Sequence, residues 1–400
     1  MHTLELSVII VNYNVKYYVE QCLVSLQRAL QSVEAEILVV DNASQDGSVA
    51  YLSDKFPHVT FISNNHNLGF ARANNLAIRQ SSGKYVLLLN PDTIVGEDTM
   101  RQLVDFMDGQ SKLGAVGVRM ISTQGSDAKE SRRGIPTPLT AFYKMCGLCA
   151  KYPQHKRFAR YYLGHLPWDK PAEIEIVSGA FFAVPRTSLE DIGLLDEDFF
   201  MYGEDIDLSY RLLKGGYHNW YLPLRILHYK GESTQKSSFR YVHVFYEAML
   251  IFFQKHFGGM SLFLSLPIKL AIYFKATIAL IQMQIGKTRK SLGLFHPQRY
   301  TPPFYVFIGS SSESILKCQK IAERKGLKAK FMVATAAEYP EGHLAFELPQ
   351  TSEVCVVYDI EAYTFSQIFH IFSKSPQSHV HLGTFNPMNE IVITPSEILK

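Results

Sequence analysis

Val86-Leu87-Leu88-Leu89-Asn90-Pro91-Asp92-Thr93 is the stretch that decides the fold. Four apolar residues in succession suit a strand buried on both faces, as in the parallel sheet of an α/β protein. Pro91 cannot extend a central strand, so Asp92 falls just past the strand's carboxyl end. Open α/β sheets bind their ligands at that edge. A carboxylate there can hold a divalent cation against a diphosphate. An ordinary Pro-Asp-Thr turn accounts for the same residues without any ligand.

The flanking sequence repeats the pattern. Leu6 to Val11 is a buried strand ended by Asn12-Tyr13-Asn14, and Val19, Leu23, Leu26 and Leu30 then recur at helical spacing. Ile37 to Val40 is the next strand, followed by an oxygen-rich loop, Asp41 to Ser48. Val59 to Ile62 is a third strand, Asn64 to Gly69 a turn, and Phe70 to Gln80 a helix. Strands alternating with helices predict a parallel sheet of βαβ units. The loops Asn12-Tyr13-Asn14 and Asp41-Asn42 then share an edge with Asp92. A carboxylate after the second strand can accept hydrogen bonds from a base or ribose, yet no Gly-x-Gly-x-x-Gly follows the first strand.

The totals exclude several classes. The 400 residues are 47% hydrophobic and 19% charged, which rules out a disordered chain. A net charge of +3, with no basic stripe carrying interleaved aromatics, argues against a nucleic-acid partner. Five cysteines in a chain this long make no disulfide framework, and a reducing compartment is expected. Cys146-Gly147-Leu148-Cys149 has metal-ligand spacing but no second pair nearby. Met1 leads straight into a strand without a basic leader and apolar core, so a cytoplasmic location is expected.

Four segments together resemble a family: Ser-Val-Ile-Ile-Val-Asn-Tyr-Asn at 7–14, Val-Val-Asp-Asn-Ala-Ser-Gln-Asp-Gly-Ser at 39–48, Asn-Leu-Gly-Phe-Ala-Arg-Ala-Asn-Asn at 67–75 and Leu-Leu-Asn-Pro-Asp at 88–92. They are similar to the inverting GT-A glycosyltransferases of family 2, and most to the rhamnosyltransferase-like branch, over roughly residues 4–260. The resemblance implies a GT-A (Rossmann-like, nucleotide-sugar-binding) α/β domain, a nucleoside-diphosphate sugar donor and Mg²⁺ or Mn²⁺. It puts Asn12, Tyr13, Asn14, Asp41, Asn42, Asn67 and Arg72 around the nucleotide, and Asp92 on the metal. The first acidic position of the family's Asp-x-Asp motif is Asn90 here, counted with the nucleotide-sugar residues.

Residues 101–170 are less legible. Arg132-Arg133-Gly134-Ile135-Pro136-Thr137-Pro138 is expected to be an irregular, solvated basic loop; contact with donor phosphates or an anionic acceptor is the alternative. The aromatic and basic mixture through Lys170 suits an insertion on the acceptor side. Ile174 to Pro185 predicts one further strand, and Ser178-Gly179-Ala180 lets a ligand approach the backbone. By resemblance, Ser178 and Gly179 border the donor sugar. Glu204, Asp205 and Asp207 fall in the first turn of a helix running to Lys214, where capping alone would favour acids. By resemblance Asp205 is the catalytic base, Glu204 the second choice, and His228 completes the metal site. Tyr229 to Thr234 is expected to be a loop that closes over the diphosphate.

Pro267 to Ile285 spans about 28 Å at 1.5 Å per residue, but Lys269 and Lys275 lie inside it. An amphipathic helix on an anionic membrane surface is expected, aided by Lys287, Arg289 and Lys290; packing on the protein's own core or on a second subunit is the alternative. The domains are thus 1–260 transferase, 261–290 amphipathic helical segment, 291–303 linker and 304–400 small accessory α/β unit. In that unit a Gly-Ser loop before a helix, Gly309 to Ser312, has the form of a weak phosphate site. The expected function is inverting transfer of a sugar, with rhamnose the implied one, to a lipid-linked or cell-surface glycan. A polyprenyl-diphosphate-linked acceptor at the inner face of the cell membrane suits it, and a homodimer is compatible. A same-fold transferase using a UDP-sugar and a non-catalytic nucleotide-sugar scaffold are the rivals.

Overall fold

The computed structural model describes residues 4–229, 239–258, 302–349 and 353–400, with isolated helical positions between 270 and 288. Two sheets organise them. The larger contains β1 (Leu6–Asn12), β2 (Ala35–Asp41), β3 (Thr60–Ser63), β4 (Tyr85–Leu89), β5 (Thr93–Val95), β6 (Leu113–Ile121), β7 (Ala172–Ile174), β8 (Phe181–Pro185) and β9 (His218–His228). In space they run β3-β2-β1-β4-β8-β6-β9-β5, with β7 beside β9. The first four are mutually parallel. Val8, Ile9 and Ile10 of β1 and Val86, Leu87 and Leu88 of β4 are at most 2% exposed, which is why both strands read as unbroken apolar runs.

The sheet departs from the expected parallel array beyond β4. β8 enters antiparallel between β4 and β6, and β5 and β7 run antiparallel to β9. The single strand expected over 174–185 is therefore two, β7 and β8. Between them the chain turns at Ser178-Gly179-Ala180, where Phe181 N–H donates to Ser178 O at 3.2 Å.

Helices cover both faces. α1 (Lys16–Ala29), α2 (Ser48–Lys55) and, after α3 (Phe70–Gln80), α4 (Thr99–Asp108) are joined by α5 (Pro138–Met145), α6 (Leu148–Lys151), α7 (Arg186–Ile192), α8 (Glu204–Lys214) and α9 (Phe239–Phe257). α1, α2 and α4 pack into one core with the inward residues of β1 and β4. α3, α7 and α8 pack on the opposite face. Gly69, which precedes α3, has φ +82, and a Cβ there would lie 2.4 Å from Phe200 O. Only glycine allows that approach, which the Phe70 N–H to Phe200 O bond of 2.7 Å secures.

The second sheet holds β10 (Phe304–Gly309), β11 (Ala329–Val333), β12 (Val354–Asp359), β13 (Val380–Asn386), β14 (Ile391–Ile393) and β15 (Ile398–Leu399), in the order β11-β10-β12-β13-β14-β15. α10 (Ser312–Lys325) and α11 (Phe365–Lys374) pack on it. The phosphate site suggested by Gly309 to Ser312 is already filled. Asp359 Oδ2 accepts from Ser310 N at 3.0 Å, Ser310 Oγ at 2.6 Å and Ser314 Oγ at 2.5 Å. A second anion beside that buried carboxylate would meet like charge.

This sheet's carboxyl edge grips the elements of the first sheet instead. Arg28 Nη1 of α1 donates to Ile360 O at 2.7 Å. Glu97, between β5 and α4, takes Phe365 N on one oxygen (2.8 Å) and Ser366 N on the other (2.9 Å), capping α11 across the boundary. A single apolar cluster runs from Leu23 and Met100 through Phe365 and Phe369 to Val356.

No helix among the described residues is long and apolar enough to cross a membrane. About half of the expected 267–285 amphipathic helix, Lys269 and Lys275 included, lies outside the described residues, as do the expected closing loop after Tyr229 and most of the linker. The described positions Leu270, Tyr273, Phe274, Ile281 and Ile285 are exposed.

Candidate active site

Three strand ends build a polar shelf. The β1–β2 register sets Asn12 opposite Asp41. Asn12 Nδ2 donates to Asp41 Oδ1 at 2.7 Å, and Ser44 N–H donates to Asp41 Oδ2 at 2.9 Å. Asn14 has φ +57, a conformation asparagine tolerates, and its Oδ1 accepts from Gln45 N at 2.7 Å. Asn42 Nδ2 reaches Gly69 O at 3.0 Å, and Asn67 Oδ1 accepts from Gly69 N at 2.9 Å. These asparagines hold the loops against one another. The side chains left open are Tyr13, 38% exposed, and Arg72, 3.7 Å from Glu197. An open cavity of about 320 Å³ lies beside Arg72, lined also by His66, Asn67, Glu197 and Phe200 among others.

Asp92 is buried in the turn between β4 and β5. The β5–β9 ladder pairs Thr93 with His228, and His228 Nε2 stands 3.3 Å from Asp92 Oδ1. Asn90 Nδ2 lies 3.4 Å from the same nitrogen. A carboxylate oxygen and an imidazole nitrogen, converging at the ligand edge of the sheet, form a donor set that suits a divalent cation completed by phosphate and water. Among the described residues no group of three or more His, Cys, Asp or Glu forms a metal cluster.

Asp205 reaches the same edge through two backbone contacts. Asn90 N–H donates to Ala180 O at 3.0 Å, and Gly179 N–H donates to Asp205 Oδ2 at 2.9 Å. The small residue at 179 thus admits the Asp205 side chain: a Cβ there would stand 3.3 Å from the Asp205 Cβ. Arg133 Nη2 pairs with the same Oδ2 at 2.5 Å, and Ile206 N–H donates to Oδ1 at 2.8 Å. A carboxylate offers about four lone-pair sites. These bonds occupy three and leave one open.

Glu204 is more deeply buried than Asp205 and differently placed. Its Oε2 has no hydrogen-bond partner among the described residues. Burial first, then the neighbouring Asp205 charge, pushes its carboxyl up to about 8. A carboxyl protonated at neutral pH is a poor proton acceptor, so Glu204 is poorly suited to act as a base. Asp207 is structural. Its side chain is fully buried and pairs with Arg211 at 2.8 Å, Lys255 at 2.9 Å and His256 at 2.7 Å, tying α8 to α9. Burial alone would raise its carboxyl; those three cations and donors outweigh it and hold it below the usual range.

The expectation of a solvated loop at Arg132-Arg133 is overturned. Arg132 is 2% exposed and lies 3.5 Å from the Trp168 ring centroid. Arg133 is committed to Asp205 and to Val177 O at 3.0 Å. Burial opposes its charge and Asp205 outweighs that, so the guanidinium stays firmly protonated. Sequence reasoning missed Arg133 as a site residue because its partner is 72 positions away. The signal was an arginine pair beside Gly134 and Pro136, residues that fix a loop rather than leave it to solvent.

Residues 7–193 match the family model described as glycosyl transferase family 2. The chain is 28% identical over 273 residues to N-acetylglucosaminyl-diphospho-decaprenol L-rhamnosyltransferase of Mycobacterium tuberculosis, covering 64% of this chain and 85% of that one. It is 29% identical over 211 residues to the low-salt glycan biosynthesis hexosyltransferase Agl10 of Haloferax volcanii, covering 52% of this chain and 61% of the relative. Among solved structures, it is similar to a mannosyltransferase of Pyrobaculum calidifontis in complex with GDP-Man and Mn²⁺, at 20% identity and a TM-score of 0.42, over 75% of this chain and 83% of the other.

Proposed function

Residues 7–193 belong to glycosyl transferase family 2, and on that premise we propose that the protein inverts a sugar, rhamnose by preference, from a nucleoside-diphosphate donor onto a polyprenyl-diphosphate-linked glycan. The observation that carries it is the Gly179-Ala180 bridge, which joins the Asn90–Asp92 turn to Asp205 by two backbone hydrogen bonds. In this reading the bridge links the proposed base, Asp205, to the turn that carries Asp92. The acceptor follows the Mycobacterium tuberculosis relative, whose name specifies a diphospho-decaprenol-linked N-acetylglucosamine.

The nucleotide would lie on the Asn12–Asp41 shelf, with Tyr13 and Arg72 the side chains open to it. Asp92 and His228 would hold Mg²⁺ or Mn²⁺, which when bound neutralises charge on the departing nucleoside diphosphate. Asp205 takes the proton of the acceptor hydroxyl. The acceptor oxygen bonds to the anomeric carbon as the carbon–phosphate-oxygen bond breaks on the opposite face. This is one displacement with inversion, the geometry in which a carboxylate activates the nucleophile opposite the leaving group. Gly179 N–H and Arg133 aim Asp205.

The test is nucleotide release from a panel of sugar nucleotides, with and without Mn²⁺ or Mg²⁺. Metal-dependent release of one nucleoside diphosphate, lost in Asp92→Ala, supports the reading and names the donor. Transfer to acceptor should also fail in Asp205→Asn. Nucleotide binding that needs no metal and survives Asp92→Ala, with no turnover, replaces the enzyme with a binding scaffold.

A further inference from the structure

The insertion 138–168 carries an exposed apolar surface that the site does not use. Thr137 Oγ1 accepts from Thr140 N at 3.3 Å and starts α5, with Pro138 in its first turn. Thr140 and Tyr143 face inward. Leu139, Phe142 and Met145 face outward, 51%, 54% and 40% exposed. They recur every third residue and so share one side of the helix. Tyr152, 43% exposed, follows α6. Large apolar side chains grouped in this way on a surface mark an interaction site.

The charge around them is one-sided. Lys144, Lys151, Lys156, Arg157 and Arg160 lie within 138–168, and the stretch contains no Asp or Glu. Exposed apolar residues in a stretch whose only charges are cationic suit the interface of an anionic bilayer.

The insertion is also fixed to the base. Gly134 N–H donates to Tyr161 O at 3.1 Å and Ile135 N–H to Glu175 Oε2 at 2.6 Å. Glu175 Oε1 in turn pairs with Arg160 at 2.5 Å. Arg133, four residues before Thr137, holds Asp205. Inside the insertion, Phe158 packs edge-on to Tyr143 at 5.1 Å and stacks on His155 at 4.5 Å.

We propose that α5 is a membrane foot: Leu139, Phe142 and Met145 enter the interface of an anionic lipid bilayer while the exposed Lys151 and Lys156 meet its headgroups. Arg133 and the Glu175 contacts then hold Asp205 at a fixed offset from the bilayer surface. A polyprenyl-linked acceptor can present its sugar to the base there without leaving the membrane. The purpose of the foot rests on the lipid-linked acceptor proposed above; its existence does not.

The test uses the full chain with phosphatidylcholine vesicles, with and without phosphatidylglycerol, read by co-sedimentation. Wild type should bind only the anionic vesicles. The variant L139E/F142E/M145E should bind them about tenfold less or worse, while keeping its melting temperature and metal-dependent donor hydrolysis. Lys151→Gln with Lys156→Gln should weaken anionic binding without new dependence on uncharged lipid. Wild type that binds no vesicle, or a triple variant that binds as well as wild type, overturns the foot. So does binding lost only on substituting Leu270 and Phe274. A wild-type dimer that the triple substitution splits, with vesicle binding intact, assigns the surface to a second copy of the chain. Donor hydrolysis reports on the transferase reading separately, so the two can fail independently.

Discussion

Replacing Arg133 by Met tests whether the ion pair at the base is built as described. Nη2 and Oδ2 are 2.5 Å apart, and the two side chains are 14% and 13% exposed. With charge centres about 4 Å apart and an effective dielectric near 20, the attraction is about 4 kcal/mol, much of it offset by desolvation. Breaking such a pair from one side costs roughly 3–5 kcal/mol, because the surviving charge stays buried. Asp205 keeps the Gly179 and Ile206 N–H bonds, so Arg133→Met should fall at the lower end, about 3 kcal/mol. Asp205→Asn strands Arg133 in the same way, with only Val177 O remaining to it among the bonds described here. The double variant R133M/D205N removes both charges. Its cost should therefore be less than the sum of the two singles by about 2 kcal/mol. Urea midpoints at unchanged m-values measure all three. In the same preparations Arg133→Met should lower kcat for transfer far more than it raises the donor KM, and Arg133→Lys should recover part of it. Additivity within about 0.5 kcal/mol would refute the argument, since it would mean the two groups do not sense each other.

Glu204→Gln should keep transfer near neutral pH, because the native side chain is already protonated below about 8. The raised carboxyl disfavours folding as pH climbs above its ordinary value of 4.5, and the penalty is complete once pH passes about 8. The variant's stability relative to wild type should accordingly rise across that window, by roughly 1 kcal/mol per pH unit, in urea titrations; a flat difference contradicts the shift. Gly69→Ala has both a left-handed φ and a carbonyl 2.4 Å from its Cβ to contend with. It should lose about 2 kcal/mol or more by thermal melting and weaken donor binding. Glu97→Ala leaves two N–H groups of α11 without their acceptor. It should cost about 1–3 kcal/mol and speed proteolysis between the two sheets, while retaining donor hydrolysis.

The first half of the sheet was legible because β1, β2 and β4 are buried on both faces and their strand ends carry the polar loops directly. Asp92 and Asp41 sat where an edge rule alone would put them. β8 was harder, because an antiparallel strand between two parallel ones leaves no mark on its own residues. Phe181 to Val184 is as apolar as β4. The His228–Asp92 approach depends on the β5–β9 ladder, which no local pattern announces. Arg133 and Glu97 were invisible for one reason: each is defined by a partner far along the chain. The three acids of α8 show the limit of composition. Asp205, Glu204 and Asp207 look alike in sequence, and only their neighbours separate the proposed base, a buried neutral acid and a tie between helices.

The grip of the accessory sheet on α1 has a consequence for biosynthesis. Arg28 and Glu97 leave the ribosome long before Ile360 and Phe365 exist. At about 5–20 residues per second, the span from 304 to 400 takes roughly 5–20 s to emerge. For that interval the nascent transferase domain shows an open apolar flank along α1 and α4 and an unsatisfied carboxylate at Glu97. The newborn chain is therefore most vulnerable to aggregation just before its last strands arrive, and its yield in a cell should track chaperone supply more closely than its final stability suggests.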